Sequence, residues 1–292
     1  MSEIYRSEAG ARLLRERYLQ ALERWPVENE RFHVPTREGE TFVIASGPAT
    51  APALVLLHGS GGNSAQWIDS IAELATHFRV YAVDVIGERG LSAPSRPPMA
   101  SDRYAVWLDG VLEFLGLEQV RIMGISLGGW LALDYATRRP GRVERLALSC
   151  PTGIGRQKKG FLLKALLLNS LGRWGRRKSV TEVLGSGLST MEPAVATMVV
   201  EEVMLVAENY RYRMGELPVF DDETLRRLTM PVHVLVGERD VMVDSAETKR
   251  RLEDTVPHAT VRLLPGVGHF IPAQPDVELE FLTSVIQGEH HA

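Results

Sequence analysis

Gly124-Ile125-Ser126-Leu127-Gly128 stands between a β-favouring run, Glu118-Gln119-Val120-Arg121-Ile122-Met123, and an apolar helix-favouring run, Gly129-Trp130-Leu131-Ala132-Leu133-Asp134-Tyr135-Ala136, that stops before Pro140-Gly141. Ser126 therefore falls on a sharp strand-to-helix turn, where a serine is held in strained backbone geometry with its hydroxyl exposed. Side chains flanking such a turn would collide with neighbouring elements, and Gly124 and Gly128 carry none. The start of the following helix also directs unpaired amides and a positive dipole end at Ser126, which favours an anion there. An ordinary glycine-bounded turn with a capping serine would satisfy the pentapeptide as well. Its surroundings must decide.

Working outward, Ala53-Leu54-Val55-Leu56-Leu57 is a buried-strand run that enters His58-Gly59-Ser60-Gly61-Gly62. An amphipathic helix over 64–77, a strand at Val80-Tyr81-Ala82-Val83, a helix over 102–115 and a strand at Arg145-Leu146-Ala147-Leu148-Ser149 follow in alternation. Alternation of this kind needs crossover helices on both faces of a mostly parallel sheet, so the fold class is α/β. Before it, the pattern predicts a helix over 9–25 and a hairpin from Phe32-His33-Val34 and Thr41-Phe42-Val43-Ile44.

The alternation breaks over 153–229, where helical patterns dominate, until Val232-His233-Val234-Leu235-Val236 restores a buried strand. The expected division is a core of 1–152 and 230–292, with 1–25 as an N-terminal helical extension, and an inserted helical lid over 153–229. In that insert Val195, Met198, Val199, Val203, Val206 and Tyr210 approximate helical spacing and read as lid packing. Arg173, Arg176, Arg177 and Lys178 read as a solvated basic face. Phe161-Leu162-Leu163-Lys164-Ala165-Leu166-Leu167-Leu168 is far short of the ~20 residues that span a bilayer and reads as a buried helix.

At 292 residues the chain can bury one large core, or a core with a lid, without disulfides or metals. Its 45% hydrophobic and 24% charged residues fit a globular protein, and a net charge of −4 gives no attraction to nucleic acid or to an anionic membrane. The lone Cys150 excludes an internal disulfide framework and reads as a buried inert thiol. The acidic, polar start Met1-Ser2-Glu3-Ile4-Tyr5-Arg6-Ser7-Glu8 lacks the regions of a signal peptide, so a cytoplasmic location is expected. Monomer and homodimer both fit.

A serine hydroxyl needs a base to take its proton and a third group to hold that base in the useful tautomer. Val236-Gly237-Glu238-Arg239-Asp240 puts a carboxylate just beyond a buried strand, and Leu263-Leu264-Pro265-Gly266-Val267-Gly268-His269 puts an imidazole beyond the last one. The carboxyl ends of parallel strands share one edge, so Ser126, Asp240 and His269 can converge there. Asp244, farther from the strand end, is the alternative acid.

With its ordered motifs at His58-Gly59-Ser60-Gly61-Gly62, Gly124-Ile125-Ser126-Leu127-Gly128, Gly237-Glu238-Arg239-Asp240 and Gly266-Val267-Gly268-His269, the chain resembles the α/β-hydrolase superfamily, in its serine-nucleophile, esterase-like branch with a helical lid. The resemblance implies an α/β-hydrolase fold, Ser126 as nucleophile, His269 as general base and acid, and Asp240 as the group orienting His269. It also implies an oxyanion hole made by the Leu127 N–H and a second N–H from the loop after His58. Ser60 is the preferred second donor and Gly61 its competitor, while His58 is read as a residue that positions the loop. Asp84-Val85-Ile86-Gly87-Glu88-Arg89-Gly90-Leu91-Ser92 resembles the family's Asp-x-x-Gly-x-Gly-x-Ser loop with one additional residue before the second glycine. Glu88 within it reads as a solvated surface glutamate.

The glycines from 59 to 62 are followed by neither a Gly-Lys-Ser/Thr end nor a dinucleotide fingerprint, and the eight histidines, with His290 and His291 in a terminal tail, lack metal-ligand spacing. No metal and no cofactor are expected. The leading expectation is hydrolysis of a small or medium-sized hydrophobic carboxylic ester through an acyl-enzyme. Thioester, lactone and carbon-carbon bond cleavage, and perhydrolysis, are alternatives on the same triad. Serine at the elbow argues against the aspartate-dependent dehalogenases and epoxide hydrolases of this superfamily. A ligand receptor on the same fold is the non-enzyme alternative.

Overall fold

Eight strands join into one sheet in a computed structural model that describes residues 4–158, 160, 164, 167–168, 170–213, 215, 217–272 and 275–284. β1 (Asn29–Thr36) and β2 (Gly39–Ser46) form the predicted antiparallel hairpin, and β2 pairs antiparallel with β4 (Arg79–Val83). The rest is parallel: β3 (Ala53–Leu57), β5 (Val120–Ile125), β6 (Val143–Ser149), β7 (Val232–Gly237) and β8 (Thr260–Leu264) complete the order β1-β2-β4-β3-β5-β6-β7-β8.

Successive residues of a strand point to opposite faces, and β3 feeds both. Val55 and Leu57 join a core with Trp107 and Leu108 of α3 (Arg103–Phe114) and Leu131 and Tyr135 of α4 (Leu127–Arg138). Leu54 and Leu56 join a second core with Tyr18 and Leu22 of α1 (Glu8–Glu23) and Ile71 and Leu74 of α2 (Ile68–His77). A strand covered on both sides has no polar face, which is why its sequence reads as an unbroken apolar run.

β4 lies on one side of β3 and β5 on the other, so chain direction across the sheet reverses at β3. Loops leaving two adjacent strands diverge at such a point and leave a crevice at the carboxyl edge. The two loops are the one beginning at His58 and the turn at Ser126. That turn is as tight as the pentapeptide implies: Ser126 has φ 51° and ψ −106°. A Cβ at Gly124 would lie 2.6 Å from Gly128 O, and one at Gly128 only 2.0 Å from Leu57 O. Gly128→Ala must push backbone against backbone in two buried elements, and we expect a stability loss above about 3 kcal/mol. Urea unfolding within about 1 kcal/mol of wild type would sink this expectation.

Between β6 and β7 the described residues form α5 (Gly172–Leu184), α6 (Pro193–Asn209) and the short α7 (Asp222–Leu225), with no strand among them. Both ends of this insert are pinned to the core. Arg251, on α8 (Ser245–Thr255), donates to Ile154 O, to Phe220 O at 2.7 Å and to Asp222, while Trp130 of α4 stacks on Phe220 with ring centroids 5.2 Å apart.

Two expectations for the insert need correction and one holds. In α6 the buried residues are Val200, Met204 and Val206, followed by Tyr210, whereas Val195 and Met198 are 47% and 65% exposed. Val206 and Tyr210 pack with Ile4 and Leu14, and Val200 and Met204 pack with Leu184 and, more peripherally, Phe270. The basic cluster is a solvated face as expected: Arg173 and Arg177 stay exposed while both pair with Glu201 across the α5–α6 seam, a surface contact of a kind that adds little stability. Of the run expected as a buried helix, residues 161–163, 165 and 166 lie outside the described residues, and Leu167 is 65% exposed. His290 and His291 also lie outside them.

The N-terminal segment straps the insert to the core. Tyr5 bridges Tyr210 in antiparallel fashion, Arg6 N–H donates to Asn209 O and Arg211 N–H to Ile4 O, each at 2.9 Å. α1, capped by Ser7 Oγ accepting from Gly10 N–H, carries Tyr18, whose hydroxyl reaches Asp84 Oδ1 at 2.8 Å. Among the described residues no helix is long and apolar enough to cross a membrane.

Candidate active site

Three loops at the carboxyl edge bring Ser126, His269 and Asp240 together in line. Ser126 Oγ lies 3.0 Å from His269 Nε2, and His269 Nδ1 lies 2.7 Å from Asp240 Oδ2. Asp240 is 2% exposed, and its other oxygen accepts the Met242 and Val243 amides at 2.7 and 3.0 Å. A carboxylate pinned on both oxygens cannot rotate away, so it fixes the ring and its tautomer: Nδ1 carries the proton and Nε2 faces the serine. Asp244 is occupied elsewhere, accepting from Glu247 N–H at 3.0 Å as the N-cap of α8.

Electrostatics follow the geometry. Burial opposes charge on His269, but the neighbouring Cys150 sulfur and the Asp240 carboxylate favour the charged ring and prevail, raising its pKa well above the ordinary value. Burial likewise opposes charge on Asp240, and the His269 hydrogen bond with the two amides outweighs it, lowering the carboxyl pKa. Cys150 is buried as expected, with a left-handed φ of 43° at the end of β6.

The loop after β3 is organised by His58, which is fully buried. Val85 N–H donates to Nε2 at 3.0 Å, so the proton sits on Nδ1 and is donated to Gly59 O at 2.9 Å. Burial depresses the pKa of this ring, which keeps it neutral and matches a positioning part. The amides of the loop are then assigned one by one. Gly59 N–H goes to Gln66 Oε1 at 3.0 Å, Gly61 N–H to Glu88 Oε2 at 2.7 Å and Gly62 N–H to Gly59 O at 3.0 Å. Ser60 N–H has no partner among the described residues, nor has Leu127 N–H at the first turn of α4.

Glu88 is the plainest departure from the sequence reading. Expected as a solvated glutamate, it is 0% exposed and accepts from both Gly61 N–H and the Tyr210 hydroxyl. The additional residue in its loop leaves room for a turn, with Glu88 N–H bonded to Val85 O and Gly90 N–H to Glu88 O, that carries the side chain inward. An acidic residue between glycines in a lengthened loop was the available signal.

The insert rests on both flanks of the Ser126 edge. Ser186 Oγ donates to Gly266 O at 2.5 Å and Leu188 packs near Phe270, beside His269; on the other flank Tyr210 and Arg213 meet Glu88. A cavity of about 450 Å³ lies behind Asp240, lined by Lys158, Lys164, Glu182 and Arg239 among others. Its lining includes Asp240 but neither Ser126 nor Ser60, and Lys158 donates to Asp240 O at 2.7 Å. Among the described residues no cluster of His, Cys, Asp and Glu could hold a metal ion.

The sequence profile of the Alpha/beta hydrolase family matches residues 54–280. The chain belongs to the alpha/beta hydrolase family. It is 33% identical over 287 residues to carboxylesterase YbfK of Bacillus subtilis, covering 96% of this chain and 95% of that one. It is 32% identical over 257 residues to the uncharacterized carboxylesterase nap of the same organism, covering 87% and 85%. Among solved structures, carboxylesterase CesB (YbfK) superposes with a TM-score of 0.82 at 30% identity, over 95% of this chain and 100% of that one. Naproxen esterase of Bacillus subtilis does so with a TM-score of 0.77, also at 30% identity, over 93% and 95%. Both hydrolase membership and the mostly parallel sheet flanked by helices agree with the expectations from sequence.

Proposed function

We propose that this alpha/beta hydrolase cleaves a carboxylic ester through an acyl-enzyme on Ser126. The observation that carries the proposal is the continuous chain from Ser126 Oγ through His269 to Asp240, at 3.0 and 2.7 Å. His269 Nε2 takes the hydroxyl proton as Oγ attacks the ester carbonyl, then gives it to the departing alcohol. Water activated by the same nitrogen attacks the acyl carbonyl and releases the acid. Leu127 N–H and Ser60 N–H hold the tetrahedral oxyanion. Ser60 is preferred over Gly61 because the Gly61 amide is spent on Glu88.

Residues 153–229 act as a lid on a core of 1–152 and 230–292. Large apolar side chains exposed on that insert, at Leu167, Leu171, Trp174, Val195 and Met198, support an apolar acyl or alcohol group. The similarity to two carboxylesterases over nearly the whole chain supports an ester over other carbonyl substrates. A single cysteine, free and buried, supports a cytoplasmic setting.

The test is a panel of p-nitrophenyl esters, lactones, thioesters and diketones, with a fluorophosphonate to label the nucleophile. Turnover of the esters with the label on Ser126 is expected. Turnover confined to diketones would replace the reaction with carbon-carbon cleavage, and ligand binding with neither turnover nor label would make the protein a receptor.

A further inference from the structure

Gly61, the residue after Ser60, is held at both its N–H and its C=O. Gly61 N–H donates to Glu88 Oε2 at 2.7 Å, and Gly61 O accepts from Arg89 Nε at 2.5 Å. The clamp residues are consecutive in the lengthened loop after β4, and each is tied to the insert. Tyr210 OH donates to the same Glu88 oxygen at 2.7 Å, with Arg96 donating to Tyr210 at 2.6 Å and so turning the hydroxyl proton toward Glu88. Arg213 Nε faces Glu88 Oε1 at 3.8 Å, and Arg89 pairs with Glu202 of α6 at 3.5 Å. Tyr212 packs against Gly61 so closely that a Cβ there would lie 2.5 Å from its ring, and Gly61 takes φ 67°.

Both hydrogen bonds to this fully buried carboxylate converge on Oε2, while Oε1 has only Arg213 nearby, so losing either donor is costly. Here the donors are an amide of the oxyanion loop and a hydroxyl at the C-terminal end of the lid helix. If either withdraws, the other is left facing a carboxylate with one partner fewer. We propose that Glu88 is a positioning residue for the oxyanion hole: by holding the Gly61 peptide it presents Ser60 N–H to the reacting carbonyl, and through Tyr210 it makes that presentation depend on the seating of the lid helix. The proposal rests on the ester-hydrolase reading, with Ser126 as nucleophile and Ser60 as donor. The lid in this scheme completes the catalytic geometry in addition to covering the cleft.

Glu88 does not touch substrate, so its signature is a loss in kcat with little change in KM. With p-nitrophenyl butyrate, Glu88→Ala is expected to lower kcat per titrated site by on the order of tenfold to hundredfold. KM should stay within about threefold of wild type. Affinity for a trifluoromethyl ketone, whose adduct carries the oxyanion, should weaken by the same factor as kcat. Glu88→Gln, which keeps an acceptor for Gly61 N–H, should recover most of the loss. Tyr210→Phe, which removes one hydroxyl, should show a smaller loss with the same pattern, and it decides the matter if Glu88→Ala does not fold. Unchanged kcat and ketone affinity in the folded variants, or a loss carried by KM alone, would overturn the positioning role. Full turnover in Ser126→Ala would instead overturn the reading beneath it.

Discussion

Ser126→Ala is expected to lower kcat on a cleaved ester by on the order of a millionfold while the protein stays folded. Ser126 Oγ is the hydroxyl poised 3.0 Å from His269 Nε2 at the carboxyl edge of the sheet. Removing it leaves a general base with nothing to activate except water. What should survive is the contribution of the Ser60 and Leu127 amides and of substrate binding, about 10³-fold over the uncatalysed reaction. Alanine retains the Cβ that already occupies the elbow at φ 51°, so the backbone conformation and its strain are common to both proteins and stability should change little. Initial rates over the ester panel, with mass spectrometry of the fluorophosphonate adduct, provide the measurement. Residual turnover above about one per cent, or a label on any other residue, would remove Ser126 from the role of nucleophile.

Much of this site was legible because its parts obey local rules. A short unbroken apolar run, such as Leu54 to Leu57, is what a central strand buried on both faces requires. The glycines at 124 and 128 are required by contacts within a few ångströms of the turn, with Gly128 O and Leu57 O. Asp240 and His269 each follow a strand, so the sheet itself brings them to one edge.

The features that escaped depend on partners distant in sequence. A glutamate between glycines is by composition a surface residue, and nothing in its neighbourhood supplies donors. Gly61 lies 27 positions away and Tyr210 lies 122 away, and only the folded chain assembles them around Glu88. The proposed preference for Ser60 over Gly61 rests on the same distant partner, since it turns on which amide Glu88 occupies. The face of α6 was misread because its sequence, Pro193-Ala194-Val195-Ala196-Thr197-Met198-Val199-Val200, is apolar nearly all round. Periodicity then selects no side, and docking against Leu14, Leu184 and Phe270 does.

Asp240, the proposed orienting carboxylate, offers a second large effect, with a sign that pH can read. Asp240→Asn is expected to lower kcat by about 10⁴-fold, because an amide facing Nδ1 can stabilise the tautomer whose proton sits on Nε2, where it cannot accept from Ser126. In its proposed role as general base His269 must be neutral, so activity is expected to fall as pH drops through its folded pKa. That value is raised well above the ordinary 6.5, and the acid limb of kcat/KM in the wild type should accordingly lie above pH 6.5. Removing the Asp240 charge withdraws one of the groups that raise it, so the limb should move to lower pH as the plateau collapses. Stability should follow from the same linkage. A raised histidine pKa contributes stability that is fully present below about pH 6.5 and is lost as pH rises through the folded value. The lowered Asp240 pKa contributes stability present above about pH 3.9 and lost as pH falls through its folded value. The wild type should therefore exceed Asp240→Asn in stability by the widest margin between about pH 4 and pH 6.5. Denaturant unfolding at several pH values, alongside kcat/KM profiles, measures both quantities. An acid limb that stays in place in Asp240→Asn, with kcat within about tenfold of wild type, would show that another group orients His269.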